Sequence, residues 1–376
     1  MAPNSNQRDT AAQRKMTARQ RQAKKRRKII IFAIEIIVIL IMVAVLFLVM
    51  GHTDNEGPKR VELKEEELAI PEEIQQAKEE GESHMTGYMN IALFGVDATK
   101  ESQLYKNSRS DSIMIASINL DTGDIKLCSV YRDTYLNIGT DSYQKCNSAY
   151  SFGGAEQAVK MLNMNLDMDI TNFVTVGYKG LSEVIDGLGG IYIDVDEAEL
   201  EHINNYQIGI AEVLKCDYQA VTTPGYQLLN GVQATAYCRI RYTKGDDFMR
   251  ATRQREVIKG IEEQAKQADF ATLSKVFNEV IDDVYTSVDE ADILELLKNI
   301  AKYSIVEEAG FPNDTMRTVA NVGAKGSSVI PMDLESNVVW LHQFFFDDAD
   351  YTVTDSVREY SQQIKADTTP YIQRIN

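Results

Sequence analysis

The stretch Asn90-Ile91-Ala92-Leu93-Phe94-Gly95-Val96-Asp97 decides the fold. It is an apolar run of strand length with polar residues at both ends, which predicts a buried β-strand. Two more β-rich runs follow at residues 112–120 and 125–130. The intervening Asp121-Thr122-Gly123-Asp124 has the composition of a hairpin turn, so these two runs are expected to pair as antiparallel strands.

Strand-like and helix-like segments alternate along the rest of the chain. Further strands are predicted at residues 173–176, 191–195 and 236–241, and helices at residues 155–166, 181–188, 250–267, 270–280 and 291–302. Gly189-Gly190 supplies the expected stop after the second of these helices. The alternation predicts an α/β fold with a mixed sheet.

Residues 29–50 form an apolar run that only Glu35 interrupts, and as a helix they would reach about 33 Å, enough to cross a bilayer. A dense basic flank, residues 14–28, comes directly before and is typical of the cytoplasmic side. A cleavable signal peptide fits less well because the apolar core is too long and no small-residue cleavage site follows it. We expect one transmembrane helix in the cell membrane, with a cytoplasmic N-terminus and an extracytoplasmic C-terminal domain.

Charge divides the chain at the same place. Residues 1–28 carry a net charge of +9 while the whole chain carries −17, which leaves −26 for the remainder. So acidic a domain repels nucleic acid, and we expect no nucleic-acid partner. The basic tail is interpreted as a topology and lipid-headgroup signal.

Composition also predicts the domain boundaries. Residues 51–87 are polar and rich in glutamate and are interpreted as an acidic stalk or loose helix, residues 88–350 as the catalytic domain, and residues 351–376 as a C-terminal tail. Four cysteines, at 128, 146, 216 and 238, follow the predicted anchor and have no metal-binding spacing. Two disulfides and buried free thiols both remain open interpretations.

Arginines recur beside the predicted strand ends, which is unusual in so acidic a domain. Arg109 and Asp111 precede one strand, with alternate side chains on one face, and Arg132 with Asp133 follows the next. The third group combines Arg239 and Arg241 with a helix start that carries Arg250, Arg253, Gln254 and Arg255. A single Arg-Asp pair is usually an ordinary salt bridge, and Arg253 and Arg255 could face solvent. Three such groups predict a pyrophosphate site, because guanidinium forks match phosphate oxygens.

Two carboxylates complement these arginines. Asp97 follows the first strand and Asp111 begins the second, so both could share one divalent cation, Mg²⁺ or Mn²⁺, with substrate phosphate oxygens. The serine-hydrolase GxSxG, the zincin HExxH and the Walker A motifs are absent, so those enzyme classes lack support.

Ten short motifs occur in an order that resembles the LytR-CpsA-Psr family, over roughly residues 89–264. They are Leu93-Phe94-Gly95-Val96-Asp97, Arg109-Ser110-Asp111-Ser112-Ile113-Met114, Tyr131-Arg132-Asp133-Thr134, Lys145-Cys146-Asn147-Ser148-Ala149-Tyr150, Gly153-Gly154, Val184-Ile185-Asp186-Gly187-Leu188-Gly189-Gly190-Ile191, Leu229-Asn230-Gly231, Arg239-Ile240-Arg241, Gly245-Asp246 and Arg253-Gln254-Arg255. The membrane topology matches as well.

The resemblance implies an α/β/α arrangement around a central mixed β-sheet, with a long apolar pocket for a polyprenyl chain, of which helices 155–166 and 181–188 would be walls. It implies a phosphotransferase of the Gram-positive envelope that moves an anionic glycopolymer, such as teichoic acid or capsular polysaccharide, from undecaprenyl pyrophosphate to peptidoglycan. The acceptor in the family is the C6 hydroxyl of muramic acid.

The resemblance also assigns roles to residues. The matching positions imply Mg²⁺ (or Mn²⁺) at Asp97 and Asp111, and a catalytic set that combines Asp111 with four clamp arginines, Arg109, Arg132, Arg239 and Arg241. Asp133, Lys145, Arg250 and Gln254 complete the implied pyrophosphate and lipid site.

Three departures from the family pattern accompany these matches. Tyr131 stands where a proline is common, Cys146 replaces an isoleucine, and residues 249–252 are a loose version of their motif, which leaves the placement of Arg250 open by about one residue. Two other functions stay open: a polyprenyl pyrophosphate hydrolase, which would use the same clamp and metal, and a non-catalytic envelope scaffold or regulator.

Overall fold

The computed structural model describes residues 61–98, 101–105, 108–139, 141–241, 246–289 and 300–372. The basic tail and the predicted transmembrane segment, residues 29–50, lie outside these ranges. Among the helices within them, none is long and apolar enough to cross a bilayer.

Strands and helices alternate as the sequence predicts. The strands are β1 (Tyr88–Val96), β2 (Ser110–Asn119), β3 (Asp124–Val130), β4 (Tyr135–Asn137), β5 (Tyr143–Lys145), β6 (Asn172–Val176), β7 (Ile191–Val195), β8 (Gly225–Leu229), β9 (Val284–Thr286), β10 (Ser304–Phe311), β11 (Arg317–Asn321) and β12 (Ser327–Pro331). The helices are α1 (Glu72–Glu80), α2 (Ser148–Leu166), α3 (Tyr178–Gly187), α4 (Glu197–Leu214), α5 (Gly231–Tyr237), α6 (Asp246–Gln267), α7 (Phe270–Val280), α8 (Leu334–Phe346) and α9 (Asp355–Ile372).

The central sheet has six strands in the order β10-β3-β2-β1-β6-β9. Strand β1 runs antiparallel to β2 and parallel to β6, while β3 runs antiparallel to β2 and parallel to β10. The predicted mixed sheet is therefore confirmed, and so is the hairpin at residues 121–124.

A bulge interrupts the first strand pair at its functional end. Gly95 pairs with Ser112 but the next residue, Val96, pairs with Ser110, so Asp111 is skipped in the ladder. A bulge breaks the side-chain alternation of a strand and re-aims the residue it leaves unpaired. The expectation that Arg109 and Asp111 share a face, which assumed a regular strand, is therefore wrong.

Alternation elsewhere in β1 divides the core into two layers. Ile91 and Leu93 face one hydrophobic cluster, which we call the front layer and which α3 to α7 cover. Ala92 and Phe94 face the other cluster, the back layer, which α2, α8 and α9 cover. Helices on both faces of the sheet give the α/β/α arrangement.

The predicted strand at residues 236–241 is wrong. Asn230 caps helix α5 there: its side chain accepts from the Gln233 backbone N–H at 2.9 Å, and the Gln233 side chain accepts from the Asn230 backbone N–H at 2.9 Å. This reciprocal capping box starts a helix at Gly231, and it outweighs the strand-like pattern of the apolar residues that follow. Arg239 and Arg241 therefore lie on the turn and loop after α5.

Both ends of the described chain pack on the back layer. Leu68 and Ile74 from the predicted stalk are buried there, and so are Val357 and Ile364 from the predicted tail. A few apolar side chains dock each segment although its average composition is polar. Residues 61–87 and 351–372 are thus parts of the folded domain, which the boundaries predicted at 88 and 350 had excluded.

The cysteines and one predicted helix complete the comparison. All four cysteines are free thiols, buried at 128, 146 and 238 and exposed at 216. The free-thiol interpretation is therefore the one that the structure supports. The helix predicted at residues 291–302 lies outside the described residues except for its end, where Ile300–Lys302 form a 3₁₀ turn.

Candidate functional site

A cavity of about 270 Å³ lies in the front layer, between the sheet and helices α3 to α6. Apolar side chains, including Leu93, Met114, Leu181 and Ile261, form much of its wall. Its charged lining comes from the sheet edge where β1 ends and β2 begins, and from the elements above that edge. The charged lining residues are Asp97, Asp111, Arg239, Arg241 and Arg250.

Three arginines converge on the carboxylate of Asp111, the residue of the bulge. Arg132 Nη1 donates to Oδ1 at 2.8 Å, Arg241 Nη2 donates to Oδ2 at 3.0 Å, and Arg250 Nη2 lies 3.3 Å from Oδ2. Arg250 also donates to the backbone carbonyl of Asp111. Because the bulge aims Asp111 out of the ladder, one carboxylate can join arginines from three separate segments.

Asp247 is a second carboxylate in the same cluster, and the sequence analysis missed it. Its Oδ2 lies 3.2 Å from Arg132 Nη2, and its Oδ1 lies 3.4 Å from Arg250 Nη1 and 3.7 Å from Arg241 Nε. The available signal was a pair of aspartates at a helix start, where acidic residues favour the helix dipole. Three guanidinium groups against two carboxylates leave the cluster with a net charge of +1.

The cluster shifts the pKa values of its own members. Burial raises the pKa of Asp111, but Arg250, Arg132 and Arg241 lower it more, so its pKa lies below the usual range. Burial also lowers the pKa of Arg250, which is 3% exposed, despite the opposing effect of Asp111. The site therefore places an ionised carboxylate and a deeply buried cation side by side at neutral pH.

Arg239 belongs to an aromatic part of the cavity. Its guanidinium lies over the ring of Tyr178, 4.6 Å from the centroid, and 5.4 Å from the ring of Tyr206. Asp97 lines the same cavity beside Tyr178. Burial raises the pKa of Tyr178, the charge of Arg239 opposes this shift, and the charge of Asp97 adds to it. Tyr178 thus connects a predicted metal carboxylate with a predicted clamp arginine, which the sequence analysis did not anticipate.

A second, much smaller cavity of about 20 Å³ adjoins the first. The two cavities share Asp111, Ser112, Arg250 and Gln254. Arg132 lines only the second cavity, together with Asp133, Asp247 and the ring of Phe248. The predicted clamp is therefore divided between two compartments.

Two other predicted site residues lie apart from the large cavity. Arg109 is exposed and lines neither cavity. Lys145 pairs with Asp133 at 3.3 Å, next to the small cavity. Gln254 lines both cavities, so it lies with Arg250 on one face of α6, as residues four positions apart on a helix should.

The remaining two arginines of α6 are structural in this fold. Arg253 is buried against Glu199 at 2.6 Å, and Arg255 is buried against Glu308 at 3.1 Å and Ser129 at 2.7 Å. The interpretation that they could face solvent is therefore wrong. They hold α6 in place, and this fixes the position from which Arg250 reaches the cavity.

The carboxylates can be compared with the needs of a hard divalent cation. Asp97 and Asp111 line one cavity, and Mg²⁺ commonly takes one or two protein carboxylates with water and phosphate oxygens as its other ligands. Within the described ranges, no group of three or more His, Cys, Asp or Glu side chains is placed to hold a metal without such help. A divalent cation at this edge would therefore need phosphate oxygens among its ligands.

Comparison with known proteins places the chain in a family. The family model described as "LytR_cpsA_psr family" matches residues 58–333. A relative from Halalkalibacterium halodurans, named polyisoprenyl-teichoic acid–peptidoglycan teichoic acid transferase TagU, is 29% identical over 217 residues, which are 56% of this chain and 64% of the relative. The match thus spans less than two thirds of that relative's length.

Solved structures share the fold at lower identity. A structure described as TagT bound to LI-WTA has a TM-score of 0.53 and 19% identity, covering 76% of this chain and 92% of its own. The structure of TagV from B. subtilis has a TM-score of 0.55 and 23% identity, covering 71% of this chain and 98% of its own. These likenesses establish a shared α/β fold.

Proposed function

The chain belongs to the LytR-CpsA-Psr family, and we propose that it is a phosphotransferase. Its proposed reaction moves an anionic glycopolymer, of the teichoic acid or capsular type, from a polyprenyl pyrophosphate carrier to peptidoglycan. The relative named TagU supports the transferase class. The resemblance of the sequence motifs supports undecaprenyl as the carrier.

One observation carries the proposal: an apolar cavity shares its wall with an arginine cluster. A molecule that satisfies both must have a long apolar part and an anionic head, because an apolar wall excludes charge and an arginine cluster with a net charge of +1 attracts an anion. A lipid pyrophosphate has this construction. Arg239, Arg241 and Arg250 line the cavity and present donors in planar forks that match phosphate oxygens.

The residues of the site then have separate tasks. Arg250 is rigid because it is buried and paired, so it can hold a phosphate without losing much side-chain freedom. In the reaction an acceptor oxygen bonds to the phosphorus on the glycan side, and the bond between that phosphorus and the bridging oxygen breaks. The electron pair leaves with polyprenyl phosphate, whose new charge faces the arginines. A divalent cation held by Asp97 and Asp111 would stabilise the same charge.

We propose that this reaction takes place at the membrane surface. The apolar run at residues 29–50 would anchor the chain, and the basic residues before it would keep the N-terminus in the cytoplasm. A lipid-linked donor stays in the bilayer, so tethering the enzyme beside it raises the effective concentration of each for the other.

The test compares transfer with simple cleavage. The full-length protein is given a synthetic polyprenyl pyrophosphate disaccharide and Mg²⁺, with or without a peptidoglycan oligomer, and mass spectrometry follows the products. We expect the disaccharide phosphate to appear on the oligomer together with free polyprenyl phosphate. Release of free disaccharide phosphate alone would identify a hydrolase, and an unchanged donor would favour a scaffold; either result contradicts the proposal.

A further inference from the structure

The small cavity next to the arginine cluster has features of a site in its own right. Its aromatic wall is fixed: the rings of Tyr131 and Phe248 meet edge to face at 4.7 Å, and the guanidinium of Arg317 covers them at 4.8 and 4.0 Å from their centroids. Arg317 in turn donates to the carbonyl of Pro312 at 2.9 Å. Three segments distant in sequence thus maintain one small opening.

The position of this cavity relative to the large one is the decisive fact. The two lie side by side along the sheet edge, the large one above β1, β2 and β6 and the small one above β2 and β3. Asp111 and Ser112 from β2, with Arg250 and Gln254 from α6, line both cavities where they meet. A phosphate held by Arg250 would therefore have a different compartment on each side.

Phosphoryl transfer requires the attacking and leaving oxygens to lie roughly in line on opposite sides of the phosphorus. If the lipid part of the donor occupies the large apolar cavity, the leaving oxygen is on that side. We propose that the small cavity is the slot through which the acceptor's hydroxyl reaches the phosphorus. This inference rests on the proposed function. It goes further by locating the entrance for the second substrate, which is an alcohol group of a glycan.

The volume of the small cavity and the residues that line it suit a hydroxyl group. A space of about 20 Å³ holds one water molecule or one hydroxyl but no sugar ring. The ring would stay outside, against the aromatic wall, and aromatic faces suit the apolar faces of sugars.

The slot also contains an acceptor for the proton. Asp133 lines it and has an ion pair with Lys145 at 3.3 Å, whereas Asp247 is engaged by three arginines. Asp133 therefore has the less neutralised carboxylate of the two. As the hydroxyl oxygen bonds to phosphorus, its proton passes to Asp133, and the bond to the bridging oxygen breaks towards the large cavity.

Three variants separate the slot from the lipid cavity. Ala251→Val adds two methyl groups to a residue that lines the small cavity only, and Phe248→Ala removes its aromatic wall. Leu181→Trp is the matched control, because Leu181 lines the large cavity only. Each variant is assayed with the same synthetic donor in ¹⁸O-water, so that hydrolysis marks the released phosphate and transfer does not. Donor binding is measured by calorimetry.

We expect Ala251→Val to lower transfer by at least about tenfold with unchanged donor affinity, because the nucleophile is displaced. Phe248→Ala should raise the share of labelled phosphate, since water enters the widened slot. Leu181→Trp should weaken donor binding without changing that share.

Two results would overturn the slot. One is an unchanged labelled share in Phe248→Ala when Ala251→Val also transfers normally, and the other is a loss of donor affinity in Ala251→Val equal to its loss of transfer. A wild-type protein that neither binds nor transfers the donor would instead reject the proposed function itself.

Discussion

The two faces of the central sheet are built from alternate residues of the same strands but have different interiors. The front layer encloses a cavity of about 270 Å³ and a cluster of five charged side chains at its edge. The back layer is filled with large side chains, among them the fully buried Phe94, Tyr150, Phe173 and Phe345. One face leaves room for a ligand while the other is packed.

This difference suggests a division of labour between binding and stability. A cavity in a core forgoes the dispersion contacts that would otherwise stabilise it, so the rest of the domain must supply the stability. The back layer can supply it, because it also gathers the segments at both ends of the described chain. Four measurements would sharpen or break this comparison.

The largest effect is expected from Phe173→Ala in the back layer. Phe173 is fully buried and contacts the rings of Tyr285 at 4.9 Å and Phe94 at 6.5 Å. Its truncation should lower the free energy of unfolding by about 3–5 kcal/mol and leave the activity of the folded fraction unchanged. Leu181→Ala, beside the front cavity, should cost only about 1 kcal/mol because Leu181 is partly exposed and already borders a cavity. Equal losses in urea unfolding would break the comparison.

The second effect is on activity. Arg250→Gln should lower turnover by about 10²–10³-fold, since the variant loses a buried cation that faces the phosphate. Arg255→Gln is the control, because it breaks a buried ion pair on the same helix but one directed at Glu308. Equal losses of activity per folded molecule in the two variants would assign Arg250 a purely structural role.

The third measurement concerns pH and the back layer. His342 is fully buried, lies 2.7 Å from His84 and 2.9 Å from the Leu166 carbonyl, and stacks on Tyr351. Burial lowers the pKa of His342 to about 3, so between about pH 6.5 and pH 3 the unfolded chain binds a proton that the folded chain does not.

The free energy of unfolding should therefore decrease as the pH is lowered through that window, by up to about 1.4 kcal/mol per pH unit. Above the window, His342 should make no pH-dependent contribution to stability. His342→Gln should flatten the dependence, although His84, whose pKa burial also lowers, will retain part of it. A front-layer variant, His202→Gln, provides the comparison. An unchanged slope in His342→Gln would contradict the prediction.

The smallest effect is expected at the proposed cation ligands. Asp97→Asn keeps the size of the side chain but removes its charge, and it should weaken Mn²⁺ binding by about tenfold, measured by electron paramagnetic resonance in the presence of a pyrophosphate. Asp133→Asn is the control with an unchanged Mn²⁺ affinity. Full turnover in the presence of a chelator would remove the cation from the mechanism.

The strands that form the centre of the sheet were predictable because their signal is local. Residues 90–96, 112–120 and 125–130 became β1, β2 and β3 with shifts of only one or two residues. The strand predicted at 236–241 failed because a capping box at Asn230 and Gln233 favours a helix there. The docking of Leu68 and Ile364 on the back layer was likewise not predicted, because the average composition of the segments around them is polar.

The types of residue in the site could be predicted from the sequence, but the ion pairs between them could not. The arginine-rich motifs did indicate an anion site, and Asp111, Arg239, Arg241, Arg250 and Gln254 do line one cavity. Asp247 and Tyr178 were missed because their roles depend on partners far away in the chain. Arg132 and Asp247, for example, are 115 residues apart.

By itself, then, the sequence determined the central strands, the mixed sheet and the family, because apolar spacing and ordered motifs are properties of neighbouring residues. Only the tertiary structure decided that a bulge aims Asp111 at three arginines, that Asp247 shares them, and that one sheet face is hollow and the other filled. These outcomes depend on how segments a hundred residues apart pack together, and no local pattern records that packing.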